Sequence, residues 1–192
     1  MPRSLEFDQH EKLVKARDTF WEKGYHATSI TDLGRSMDLN PGSIYNTYGS
    51  KHQLFVQCLC NYIECTFSHY QRIAANEQSP MAAITHIIDK VADKMVTDHH
   101  ACMIGKSSFE LCEADKEVRT LLKDNNDALV SLFRQLLTKA QEAGEITPDK
   151  DPATLAQLLV ASFSGLGQHY VLYQDKAQLH TLAMQLIHLI KA

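Results

Sequence analysis

The chain has 192 residues, 44% of them hydrophobic, with a formal charge of −4 and only 8 Gly and 5 Pro. That content supports a packed core and excludes wholesale disorder, and the scarcity of breakers favours helices over sheets. The acidic balance speaks against a sequence-blind nucleic-acid binder, which would be basic; residues 1–51 carry seven Lys/Arg and seven Asp/Glu and are neutral.

The first twelve residues are polar and charged, unlike a signal peptide, and no apolar run approaches the ~18 residues of a membrane span. A cytoplasmic protein without membrane contact is expected. Cysteines at 58, 60, 65, 102 and 112 fit no secreted disulfide framework, so reduced thiols are expected.

Capping signals divide the chain into helices. Helix 1 runs from about Gln9 to Lys23 and stops at Gly24. Ser29-Ile30-Thr31-Asp32 opens helix 2, which reaches Met37, and Asn40-Pro41 opens a short third helix ending at Tyr48. Ser50-Lys51-His52-Gln53 has the form of a capping box and starts a long helix to about Ala75. Ser79-Pro80 precedes a helix over about 81–97, and His99 to Ser108 reads as less regular. A long helix follows over about 116–143, then a loop, then two apolar helices over about 153–173 and 176–191, the first opened by Asp151-Pro152.

Apolar residues of the first three helices recur at helical spacing: Leu13, Ala16, Phe20 and Tyr25, then Ile30, Leu33 and Met37, then Ile44 and Tyr48. They suffice for one small core. If Ile44 and Tyr48 point inward, Gly42, Ser43, Tyr45 and Asn46 point outward. Such a face suits a DNA groove: Gly lets the backbone approach, Ser and Tyr reach phosphates, and Asn pairs bidentately with adenine. Lys51 at the start of helix 4 makes a phosphate clamp with the free N–H groups there, and Ser29 or Thr31 offers another at helix 2. Asp32 opposes that attraction unless it turns into the cap.

The run Ala16-Arg17-Asp18-Thr19-Phe20-Trp21-Glu22-Lys23-Gly24-Tyr25, then Thr28-Ser29-Ile30, then Gly42-Ser43-Ile44-Tyr45-Asn46-Thr47-Tyr48-Gly49-Ser50-Lys51, resembles the DNA-binding domain of the TetR/AcrR regulators. The likeness covers about residues 10–55 without gaps. It implies an all-α fold of about nine helices: a helix-turn-helix domain over 1–52 joined to an antiparallel helical ligand-binding and dimerisation domain over 53–192. It also implies a homodimeric repressor on a double-stranded, pseudo-palindromic operator, released by a small-molecule inducer. Three positions depart from the pattern. Pro41 stands where Lys is frequent, Asp38 where Gly is usual, and Tyr48 where Phe is usual.

The last two helices are the expected dimer interface, with Leu155, Leu158, Leu159, Ser162 and Leu166 on one face and Leu179, Leu182, Ala183, Leu186 and Ile190 on the other. Tyr62, Phe67, Met95, Met103, Phe109 and Phe133 are candidates to line a sensor pocket, although such residues on amphipathic helices are more often core, and no ligand site is assigned. Cys102 and Cys112, near His99 and His100, are candidate sensors of oxidants or electrophiles, since a neighbouring His⁺ or helix N-terminus activates a thiol. Metal sensing is a further alternative, although no compact Cys or His ligand pair occurs. A helical-bundle enzyme finds no Gly-rich phosphate loop, no H-E-x-x-H and no paired E-x-x-H. No catalytic residue, resident metal or cofactor is assigned. A pure protein-interaction module would favour large aromatic and Arg anchors over the small polar face of helix 3.

Overall fold

The structure, a computed structural model, describes residues 8–97 and 102–191. Among them are nine helices and no strand: α1 Gln9–Lys23, α2 Ile30–Met37, α3 Pro41–Tyr48, α4 Lys51–Asn76, α5 Pro80–Thr97, α6 Met103–Leu111, α7 Lys116–Glu142, α8 Pro152–Tyr173 and α9 Lys176–Lys191.

The helix starts follow from side-chain caps. Asn40 Oδ1 accepts the Ser43 N–H at 2.9 Å, Ser79 Oγ the Ala82 N–H at 3.1 Å, and Asp151 the Ala153 and Thr154 N–H groups at 3.3 and 3.0 Å. Each satisfies donors that the first helical turn leaves without partners. At α2 the capping box is complete, with Ser29 and Asp32 bonded in both directions. At α4 Ser50 Oγ takes the Gln53 N–H at 3.1 Å, while the Gln53 side chain lies against Gly49.

Two buried clusters hold the chain together. The first joins Ala16, Phe20, Leu33, Met37, Ile44 and Tyr48 to Leu54, Phe55, Cys58, Leu59 and Tyr62 of α4, and then to Met103 and Leu111 of α6 and Val118 and Leu122 of α7. The small core expected of the first three helices is thus closed by the front of α4 and by α6. The second cluster unites the rear of α4 with α5, α7, α8 and α9 around Ile84, Ile87, Phe133, Leu137, Leu159 and Ala183.

Two expectations change. Met103 to Ser108, read as irregular, is the body of α6, because Met103, Ser107 and Leu111 fall four apart and are all buried. The pattern was masked by Gly105, Ser107 and Ser108, which are weaker helix formers. His99, His100 and Ala101 lie outside the described residues. On α8 and α9 the named faces are split: Leu159, Leu166, Leu179, Ala183 and Ile190 are consumed by the chain's own core, whereas Leu158 and Leu182 are exposed. The apolar surface left open is Leu158, Val171, Leu172 and Tyr173 on α8 and Leu182, Met184 and Leu189 on α9.

Candidate nucleic-acid interface

The geometry of α3 is set by the turn that precedes it. Asp38 ends α2 in the left-handed conformation at φ 53°, ψ 52°, and the Leu39 N–H bonds the Gly34 carbonyl at 2.9 Å. Asp is among the few side chains that visit this region readily. A Cβ at Gly34 would sit 2.8 Å from the Leu39 carbonyl oxygen, so only Gly lets the turn pass so close to α2. Sequence reading overlooked Gly34 because a glycine inside an eight-residue helix carries no distinctive spacing.

With Leu33, Met37 and Ile44 fully buried, the rotation of α3 is determined. The Tyr48 hydroxyl donates to the Gln9 carbonyl at 3.2 Å, which gives the added polar atom a partner. Gly42, Tyr45 and Asn46 are exposed and Ser43 is half-buried, on the face away from the core. Tyr45, at 47% relative exposure, is a large ring left in solvent at the centre of that face.

The helix N-termini beside α3 differ in what they offer. At α2 the Ser29 hydroxyl donates to Asp32 Oδ2 at 2.6 Å and accepts the Asp32 N–H at 3.0 Å, so its proton is committed within the cap. Lys23 Nζ lies 2.6 Å from Asp32 Oδ1. Lys23 first, then Ser29, hold the Asp32 carboxyl far below the usual carboxylate range. The carboxylate is therefore turned into the cap and paired; Thr31 and Ser29 are both exposed, but the Ser29 hydroxyl is spent on Asp32. At α4 the half-buried Lys51 places Nζ 4.5 Å from the centroid of the Tyr25 ring, a cation–π contact. Burial pulls its pKa down, against the charge of Glu110.

Tyr25 and Glu110 are the participants that sequence reading missed. Its sequence spacing places Tyr25 in the core, and it does stack at 6.2 Å on Phe20. Its second role, under Lys51, depends on how α1 and α4 cross. Glu110 lies 85 residues from Tyr25 in sequence, so no local pattern announces it.

The candidate sensor residues scatter. Cys102 and Cys112 flank the two ends of α6, about 15 Å apart at 1.5 Å per residue, beyond the reach of a disulfide. Cys102 Sγ lies 3.7 Å from the Tyr62 hydroxyl. Lys94 Nζ stands 5.1 Å from the Tyr62 ring and 5.2 Å from that of Trp21. Tyr62, Met95, Met103 and Phe133 are core residues, while Phe109 is 87% exposed. Among the described residues no three His, Cys, Asp or Glu side chains gather as a metal site, and no helix is long and apolar enough to cross a membrane. An open groove of about 560 Å³ between the starts of α5 and the end of α9 is lined by Glu77, His86, Asp89 and Glu145 among others; its charge is unlike the apolar walls typical of small-molecule pockets.

Comparison with known proteins agrees with this geometry. Residues 13–58 match the family model described as bacterial regulatory proteins, tetR family, and residues 80–186 match the tetracyclin repressor-like C-terminal domain. The HTH-type transcriptional repressor DhaR of Mycobacterium sp. (strain GP1) is 30% identical over 154 residues, covering 79% of this chain and 76% of DhaR. The HTH-type transcriptional repressor ComR of Escherichia coli (strain K12) is 26% identical over 163 residues, 83% of this chain and 78% of ComR. A cysteine mutant of the regulator CifR complexed with 26-bp operator DNA shares the fold, with TM-score 0.85, 21% identity and coverage of 97% and 98% of the two chains. The regulator FadR of Bacillus subtilis in complex with stearoyl-CoA also shares it, with TM-score 0.77, 15% identity and coverage of 96% and 98%.

Proposed function

The chain belongs to the TetR family of bacterial transcriptional regulators, and on that premise we propose that it is a homodimeric, sequence-specific repressor released from a pseudo-palindromic operator by a small-molecule inducer. The observation that carries the reading is the α3 face: Gly42, Ser43, Tyr45 and Asn46 project from a helix whose other side is locked into the core by Ile44 and Tyr48. Asn46 reads a base edge, Ser43 and Tyr45 contact phosphates or bases, and Thr31 and Lys51 grip the flanking backbone, with Ser29 serving that end of α2 as its cap. The division of labour is residues 1–52 for DNA and residues 53–192 for ligand and dimer, in the cytoplasm. The exposed apolar residues of α8 and α9 supply the twofold contact, which sets two recognition helices one DNA turn apart.

Induction is a population shift. The inducer binds better to a dimer whose α3 helices are mis-spaced for the operator, and DNA and inducer oppose each other through one reciprocal coupling free energy. DhaR and ComR are named repressors, and FadR was solved with an acyl-CoA; both support a ligand-released repressor here. A second reading makes Cys102 an oxidant or electrophile sensor. What favours it is the position of the half-buried thiol at the N-terminus of α6, 3.7 Å from the Tyr62 hydroxyl and packed against the core that supports α1 to α3.

DNA selection with purified protein, in reducing and then oxidising buffer, tests both. Enrichment of a short pseudo-palindrome is the expected result. Loss of binding on oxidation, reversed by thiol and absent in Cys102→Ser, selects the second reading. No enriched sequence in either buffer, with inducer-free protein, overturns the operator-binding reading.

A further inference from the structure

Helix α6 grips the end of α1 with two charged side chains one turn apart. Lys106 Nζ donates to the carbonyls of Trp21 and Glu22 at 3.1 and 2.8 Å. The Glu110 carboxylate accepts the N–H of Tyr25 at 3.0 Å and of His26 at 2.7 Å. A cation thus caps the negative end of α1, and an anion takes the next two backbone donors. The turn between them is shaped for this. Gly24 has φ +88°, and a Cβ there would come 2.9 Å from Glu110 Oε2. The buried Thr28 hydroxyl then closes the turn on the Gly24 carbonyl at 2.6 Å.

Tyr25 carries this grip to the DNA face. Its backbone is held by Glu110 and its ring lies under the Lys51 ammonium. We infer that Glu110 and Lys106 are positioning residues for DNA binding: by fixing the α1–α2 turn from α6, they hold the Tyr25 ring where it aims Lys51 at the operator phosphate. This rests on the reading of Lys51 as a phosphate contact. It adds two residues that lie outside the helix-turn-helix and act on it through the α1–α2 turn.

The geometry argues for positioning rather than for general stability. Charge-assisted hydrogen bonds are about twice as strong as neutral ones, and four of them converge on one six-residue stretch, Trp21–His26. Glu110→Gln keeps the size of the side chain but presents an NH2 donor to one of two backbone donors, so one of the N–H groups loses its acceptor. Tyr25 is freed to move, and Lys51 with it.

The test is a double-mutant cycle of Glu110→Gln with Lys51→Met on the operator recovered by selection, read across a salt series. Lys51→Met is expected to lower affinity and to reduce the salt slope by about one. Glu110→Gln is expected to lose about fivefold to tenfold with Lys51 present, to flatten the slope likewise, and to lose little more in the Lys51→Met background, as coupled residues do. Lys106→Met repeats the cycle from the other side of the turn, should Glu110→Gln fold poorly by thermal melting. Equal losses of Glu110→Gln in both backgrounds, or an unchanged salt slope, overturn the positioning role alone. Wild-type protein that enriches no DNA sequence overturns the operator reading and this inference with it.

Discussion

His52 and Asp115 meet at 2.6 Å, Nε2 to Oδ2, where the first turn of α4 passes the turn between α6 and α7. The other oxygen of the same carboxylate accepts the Val118 N–H at 3.0 Å and caps α7. Glu117 Oε2 stands 3.8 Å from the other His52 nitrogen, and the Tyr25 ring packs against the imidazole at 6.3 Å. One carboxylate therefore starts α7 and tethers the helix that carries Lys51.

Burial pushes the Asp115 carboxyl up, but the Val118 N–H and then His52 outweigh it and leave its pKa below the ordinary value. A carboxyl lowered on folding stabilises the fold above its unfolded pKa, about 3.9, and that contribution is lost as pH falls through the folded value. Asp115→Asn keeps a capping oxygen and removes the charge, so it isolates the tether. Urea melts should show the variant less stable than wild type at pH 7 and pH 5, with the difference shrinking as pH falls below the unfolded value and through the lowered folded one. Asp115→Ala removes the cap as well and should cost about a further 1 kcal/mol.

The α3 face and the α2 cap should separate by phenotype. Asn46→Ala is expected to cost roughly 1–3 kcal/mol of operator discrimination, as a lost bidentate base contact does, with the fold and dimer intact. Retained affinity in a mobility-shift titration would remove Asn46 from base reading. Ser29→Ala, whose hydroxyl is engaged with Asp32 in both directions, should lose about 1 kcal/mol of stability, a larger effect than on DNA discrimination.

The exposed apolar residues of α8 and α9 recur at seven-residue spacing: Leu158, Gly165 and Leu172, then Leu182 and Leu189. A Cβ at Gly165 would meet nothing within 4 Å, which leaves room for a close helix. Leu158→Glu with Leu172→Glu should weaken the dimer at least ~100-fold, because two carboxylates would be buried without partners. Sedimentation would then report a folded monomer, and operator binding would fall with it. A double variant that stays dimeric would place the interface elsewhere.

Asp38→Gly tests the turn before α3. At φ 53° Asp38 holds a left-handed conformation that glycine adopts at lower cost than even Asp, and its charge faces the negative end of α2. Gly should raise the urea midpoint by the equivalent of about 0.5–1 kcal/mol with α3 unmoved.

Much of the fold was legible from local signals. The starts of α1, α3, α8 and α9 could be read from caps, prolines and apolar spacing, because a capping oxygen and an N–H three residues on meet wherever the chain turns into a helix. The outward face of α3 followed from two inward residues, Ile44 and Tyr48, since helical geometry determines the rest. α6 was missed because its stripe of Met103, Ser107 and Leu111 includes a polar residue that only its buried surroundings reveal.

What the sequence by itself determined is the set of helices other than α6, and the polar face that α3 exposes, because these depend on neighbours within a few residues. Only the tertiary structure decided which apolar faces of α8 and α9 are spent on the protomer's own core. It alone brought Glu110 to Tyr25 across 85 residues, and Asp115 to His52 across 63. Contacts at such separations depend on how helices cross, and crossing is settled by the packing of whole side-chain surfaces rather than by any local pattern.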